Sequence, residues 1–116
     1  MNVRNLAANQ YQAAAARTIN MGLSERDLLI NGVMGLCGEA GEAIDIVKKH
    51  IAQGHELDRD KLIKELVDVA WYLAETATAL NVSLGEVLQR NIDKLSARYP
   101  DGFAAEKSVC RAQGGD

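Results

Sequence analysis

At 116 residues the chain has room for one core and none for a separate cofactor-binding domain. Its net charge of −3 comes with scattered lysines and arginines, which argues against a nucleic-acid-coating surface and leaves small anionic ligands open. Cys37 and Cys110 lack the spacing of a zinc site or a disulfide framework, and no signal-like or long uncharged apolar stretch occurs, so a soluble cytoplasmic protein with no membrane partner is expected.

Pro100 is the single proline, and the stretches rich in Ala, Leu and Glu carry helical periodicity, so the fold class expected is all-α. A first helix is expected from about Asn2 to about Asn20, with Leu6, Ala13, Ala16 and Ile19 inward and Gly22 ending it. Ser24 reads as the N-cap of a second helix reaching about Ala52, with Glu25 and Asp27 in its first turn and Gly54 as its stop. Asp58 caps a third helix to about Leu80, with Asn81 at its C-cap. Ser83 and Glu86 form a capping box for a fourth helix to about Arg98. One domain over residues 1–103 is expected, followed by a frayed tail over 104–116.

The second and third helices each carry an acidic pair at i,i+3, Glu39/Glu42 and Glu65/Asp68, which puts two carboxylates on one face of each. On a helical wheel the second helix has an apolar arc of Leu29, Val33, Leu36, Ala40, Ala43, Ile44, Val47 and Ile51, with Glu39 at its border. The third is expected to bury Leu62, Leu66, Val69, Ala70, Leu73, Ala77 and Leu80, with Glu65, Asp68 and Tyr72 in a stripe alongside. A short connection makes the two helices antiparallel, so the acids can meet halfway along.

One such pair alone is ordinary surface charge; two pairs on facing helices are rarer, and carboxylates beside a packed face need a compensating charge. Neither His50 nor His55 stands three residues after a glutamate, as a di-iron bundle site requires, and oxygen-only ligation points to Mg²⁺ or Mn²⁺. Gly32, Gly35, Gly38 and Gly41 each cost the second helix roughly 1 kcal/mol relative to alanine, for which close approach of a neighbouring helix is the simplest reason. Asn91, Lys94 and Arg98 lie along one face of the fourth helix, an ordinary solvated strip by itself but a grip for phosphate oxygens opposite a metal cluster. Trp71 either stacks on a base beside the metal site or, more simply, fills core or subunit contact; Cys37 reads as a small core residue.

These residues resemble the MazG-like branch of the all-α nucleoside triphosphate pyrophosphohydrolases. The resemblance is carried by Gly35-Leu36-Cys37-Gly38-Glu39-Ala40-Gly41-Glu42, by Lys64-Glu65-Leu66-Val67-Asp68-Val69-Ala70-Trp71-Tyr72-Leu73, and by Asn91-Ile92-Asp93-Lys94-Leu95 with Arg98-Tyr99-Pro100-Asp101-Gly102-Phe103. Tyr11-Gln12 and Ala16-Arg17-Thr18 are similar to its first helix, so the likeness spans roughly residues 9 to 103. The family's metal motif is usually Glu-Glu-x-x-Glu followed by Glu-x-x-Asp; Gly38 stands here at the first glutamate, as in the branch resembling deoxycytidine triphosphate pyrophosphatases.

The resemblance implies a four-helix bundle-like oligomeric fold, typically a homodimer or homotetramer, and a Mg²⁺ site of Glu39, Glu42, Glu65 and Asp68, with Glu39 or Glu42 handling the attacking water. It implies phosphate or sugar contacts from Asn91, Lys94, Arg98 and Tyr99, and hydrolysis of a nucleoside triphosphate to monophosphate and pyrophosphate. Two other readings stay open, a nucleotide-binding regulatory module without turnover, which the lost acid at Gly38 motivates, and a structural helical oligomer with solvated acids.

Overall fold

The computed structural model describes residues 7–112, the side chains of 111 and 112 excepted, and its helices in chain order are α1 (Ala8–Ala16), α2 (Glu25–Gln53), α3 (Arg59–Ala79), α4 (Leu84–Arg98) and α5 (Ala105–Ala112). The capping chemistry of the sequence sets the long pair. Ser24 Oγ accepts the Asp27 N–H at 3.1 Å to start α2, and Asp58 Oδ1 accepts the Lys61 N–H at 3.1 Å to start α3. Gly54, at φ 75°, ends α2 in the left-handed conformation that glycine adopts without strain. Asn81, at φ 56°, does the same just beyond α3, which its short polar side chain permits.

The chain divides into two compact units, 1–84 and 85–116. In the first, α3 packs against both α2 and α1. The α2–α3 register is antiparallel and is fixed by small residues: a Cβ at Gly32 would collide with Thr76, and one at Gly35 would fall inside the Tyr72 ring. Gly38 and Gly41 meet nothing within 4 Å, so close approach explains only the first two of the four glycines. Gly35→Ala is expected to destabilise by roughly 1–3 kcal/mol through overpacking, whereas Gly38→Ala is expected to stabilise by up to about 1 kcal/mol through helix propensity. Urea unfolding of the two variants checks the contrast.

The faces turned inward differ from those the wheels suggest. On α2 the buried residues are Leu28, Gly32 and Ile46, whereas Val33, Ala40, Ile44 and Ile51 are exposed. On α3 the buried residues are Glu65, Ala74, Glu75 and Ala77; of the face expected, Ala77 is buried and Leu62, Val69, Ala70 and Leu73 are half-buried, while Leu66 and, just past the helix, Leu80 are exposed. The stripe of Glu65 and Tyr72, expected beside the packed face, is therefore the α2-facing seam itself. A wheel ranks stripes by hydropathy, but the glycines decide the rotation, because only their side of α2 admits α3 so closely. Cys37, expected in the core, is exposed for the same reason.

α1 is shorter than expected, ending at Ala16, and Leu6 lies outside the described residues. Ala15 and Ile19 are buried, Ala16 is half-buried and Ala13 is exposed. Gln12 fixes the rotation: its Nε2 donates to Thr78 Oγ1 at 3.1 Å and to the Val82 carbonyl at 3.0 Å, and its Oε1 accepts the Leu84 N–H at 2.7 Å. One amide thus satisfies the backbone where α3 gives way to α4. Beneath it Ala15, Ala74 and Leu84 form a small core, lined by Tyr11, Trp71 and Leu73.

In the second unit the segment after Phe103, expected to fray, forms the eight-residue α5. Tyr99 packs on Phe103 with ring centroids 5.6 Å apart where the chain turns through Pro100 and Gly102, the latter at φ 92°.

Candidate metal centre

Three of the four nominated carboxylates converge in the α2–α3 seam. Glu39 and Glu42, one turn apart on α2, and Glu65 on α3 each offer an oxygen, and the three oxygens lie within 4.8 Å of one another. Asp68, one turn along α3 from Glu65, is exposed and stands outside this triplet, but its charge acts on Glu39. Glu65 is 9% exposed, and its Oε2 is buried without a hydrogen-bond partner. A buried carboxylate oxygen left unsatisfied is expensive, and three further acids around it make the cost larger.

Glu39 shows the same tension. Its carboxyl is pushed up to about 7, first by a hydrogen bond with Glu65, then by partial desolvation and by repulsion from Glu42, Glu65 and Asp68. The hydrogen bond with Glu65 keeps a proton on Glu39 to higher pH than an isolated glutamate would hold one. All the donors are carboxylate oxygens, a set suited to a hard divalent ion, and the orphaned Glu65 Oε2 is the acceptor such an ion would satisfy. The residues present therefore fit the group.

A carboxyl whose pKa is higher folded than unfolded binds an extra proton in the native state between the two values. Glu39 thus stabilises the metal-free protein fully below about 4.5, and that contribution is lost as pH rises through about 7. Two results are expected. Metal-free thermal stability contains a component that falls from pH 4.5 to 7, and titration with Mg²⁺ near pH 6 releases close to one proton, seen as a dependence of the calorimetric heat on buffer ionisation. Replacing Glu39 with glutamine removes both signals.

The remaining candidates are placed elsewhere. Asn91 and Lys94 are exposed on α4, and Arg98 and Tyr99 are half-buried at its end, in the second unit, while all four acids belong to the first. Trp71 is half-buried beside the α1–α3 core, its Nε1 donating to Thr18 Oγ1 at 2.8 Å and its ring edge-on to Tyr72 at 5.1 Å. That environment favours packing over base stacking.

One polar element of the seam escapes the motif reading. Glu75, 2% exposed, accepts a hydrogen bond from Asn31 Nδ2 at 2.7 Å. Its sequence signal is a third acid on the same line of α3, seven residues after Asp68. No helix among the described residues is long and apolar enough to cross a membrane.

Comparison with known proteins agrees with the geometry. A profile of the MazG nucleotide pyrophosphohydrolase domain matches residues 31–103, which contain both halves of the acidic seam and all of α4. The chain is also 43% identical over 101 residues to the Gene 37 protein of Mycobacterium phage L5, covering 79% of this chain and 88% of that relative. No solved structure matches it at a significant level. With the profile spanning more than half its length, the chain belongs to the MazG nucleotide pyrophosphohydrolase family.

Proposed function

We propose that the protein is a Mg²⁺-dependent nucleoside triphosphate pyrophosphohydrolase of the cytoplasm, Mn²⁺ serving as an alternative ion. The observation that carries this reading is the buried, unsatisfied oxygen of Glu65, whose carboxyl group converges with those of Glu39 and Glu42. A helix pair does not retain such a group for stability. It fits a site completed by a cation and a polyphosphate.

In this reading Glu39, Glu42, Glu65 and Asp68 would hold the ion, whose charge would offset that of the triphosphate and polarise the α-phosphoryl group. Glu39 or Glu42 orients the attacking water and takes its proton. The water oxygen bonds to the α-phosphorus, the bond to the α–β bridging oxygen breaks, and pyrophosphate departs with its charge balanced by Lys94 and Arg98. Asn91 and Tyr99 contribute further substrate contacts, and Trp71 supports Tyr72 from the core side. The branch likeness at Gly38 puts dCTP-like pyrimidine nucleotides among the substrates.

The active unit is a homodimer or homotetramer. Ile44 (69% exposed), Ile51 (76%), Leu66 (57%) and Val67 (60%) present large apolar side chains to water on the two helices that build the site. Large apolar side chains left this exposed support a surface that a second copy covers. The test of the activity is product analysis after incubation with a panel of triphosphates and Mg²⁺. Monophosphate and pyrophosphate in equal amounts support the enzyme, binding without release supports a regulatory module, and neither supports a structural oligomer.

A further inference from the structure

The α2–α3 seam continues past the acidic cluster in an ordered way. From Glu39, one turn back along α2 brings Gly35, and another brings Asn31; from Asp68, one turn on along α3 brings Tyr72, and the next brings Glu75. Gly35 and Tyr72 are in direct contact, the ring lying where a Cβ would stand, so they form a floor between the acids and the Asn31–Glu75 pair. At about 1.5 Å per residue Asn31 lies about 12 Å along α2 from Glu39, and Glu75 about 15 Å along α3 from Glu65. A hard cation with its short bonds to oxygen, and a nucleotide laid along the seam from α-phosphate to base, together bridge a separation of that order.

The pair is built for orientation. Glu75 is buried, and its side chain makes its hydrogen bond to Asn31, which is itself exposed. The Glu75 oxygen accepts that bond, so it holds the Asn31 amide nitrogen inward and leaves Oδ1 as the acceptor turned away from it. An amide oxygen presented outward favours a ligand edge that donates. It disfavours one whose single N–H is flanked by two carbonyl oxygens.

We propose that Asn31, held in a fixed orientation by buried Glu75, reads the nucleobase of the substrate and selects an exocyclic amino group, as on cytosine or adenine, over the keto edge of uracil or thymine. Asn31 is the contacting residue and Glu75 its positioning residue. The proposal rests on the pyrophosphohydrolase reading for the location of the triphosphate, and its test separates the two.

The test compares kcat/KM for dCTP, dATP, dUTP and dTTP in the wild type, Asn31→Ala and Glu75→Gln, alongside calorimetric binding of the α,β-imido analogues of dCTP and dUTP with Mg²⁺. The wild type is expected to favour the amino-bearing substrates by about tenfold or more, and both variants to bring the ratio towards one. Glutamine can donate as well as accept, so it frees the amide to turn over without removing the side chain. Asn31→Ala, at an exposed position, keeps the test decisive where Glu75→Gln fails to fold. No preference in the wild type, or an equal change for all four substrates in Asn31→Ala, overturns the base-reading role. Absence of turnover on every triphosphate counts against the activity alone, and the same amino-over-keto comparison is then read from analogue binding.

Discussion

Glu65→Gln is expected to lower kcat/KM for pyrophosphate release by about 10³-fold or more while leaving the metal-free protein as stable as the wild type, or more so. The two halves of this result have one cause. Glu65 is the most buried of the four acids, with one oxygen lacking any partner and the other engaged with Glu39. In the absence of a cation it is a liability, and an uncharged amide removes the repulsion among the acids. With a cation bound it would be the central donor, and an amide oxygen is a weaker ligand for a hard ion. The Glu39 carboxyl, relieved of its hydrogen bond with the Glu65 carboxyl group, is expected to titrate closer to its ordinary value, which side-chain NMR reads directly. A purely structural role for Glu65 gives the opposite pattern, with stability lost and any activity falling only in proportion.

The second large effect is expected from Leu66→Glu. A charge placed on the exposed apolar face of α3 should weaken self-association by at least about 100-fold and carry most of the activity with it, as light scattering and turnover at matched concentrations will show. Leu66 adjoins Glu65 in sequence, so Ile51→Glu, nine residues beyond Glu42 on α2, supplies a variant remote from the acids. Loss of assembly and activity together in both variants ties the site to the oligomer. An active monomer in either variant removes the partner subunit from the account.

These two residues also show how far hydropathy carries. Helix boundaries were legible because they are local chemistry: Ser24, Asp58 and Gly54 act on backbone groups within one turn of themselves. The acidic pairs were legible too, since i,i+3 spacing fixes a shared face whatever the helix packs against. The rotation of α3 was not. Leu66 and Leu80 mark a stripe that avoids water, but periodicity does not say which neighbour covers it, and within one chain the Gly32 and Gly35 surface takes the polar side of α3 instead.

The orientation of α1 was hidden differently. Four consecutive alanines offer no contrast around the wheel, and Gln12, a polar residue, sets the packing by bonding the backbone at Val82 and Leu84. α5 was obscured by the glycines that follow it, which lower the helical signal of the whole segment. Glu75 belongs to a third kind. Its spacing from Asp68 is visible in the sequence, but its burial and its bond to Asn31 come from a contact 44 positions apart.

The central claim is that the carboxylate seam directs water to the α-phosphorus of a nucleoside triphosphate. Hydrolysis in ¹⁸O-labelled water with Mg²⁺, followed by mass analysis of both products, tests it most directly. The label is expected in the nucleoside monophosphate, with unlabelled pyrophosphate and no release in Glu65→Gln. Label in orthophosphate or pyrophosphate, or release that persists in Glu65→Gln, would contradict it.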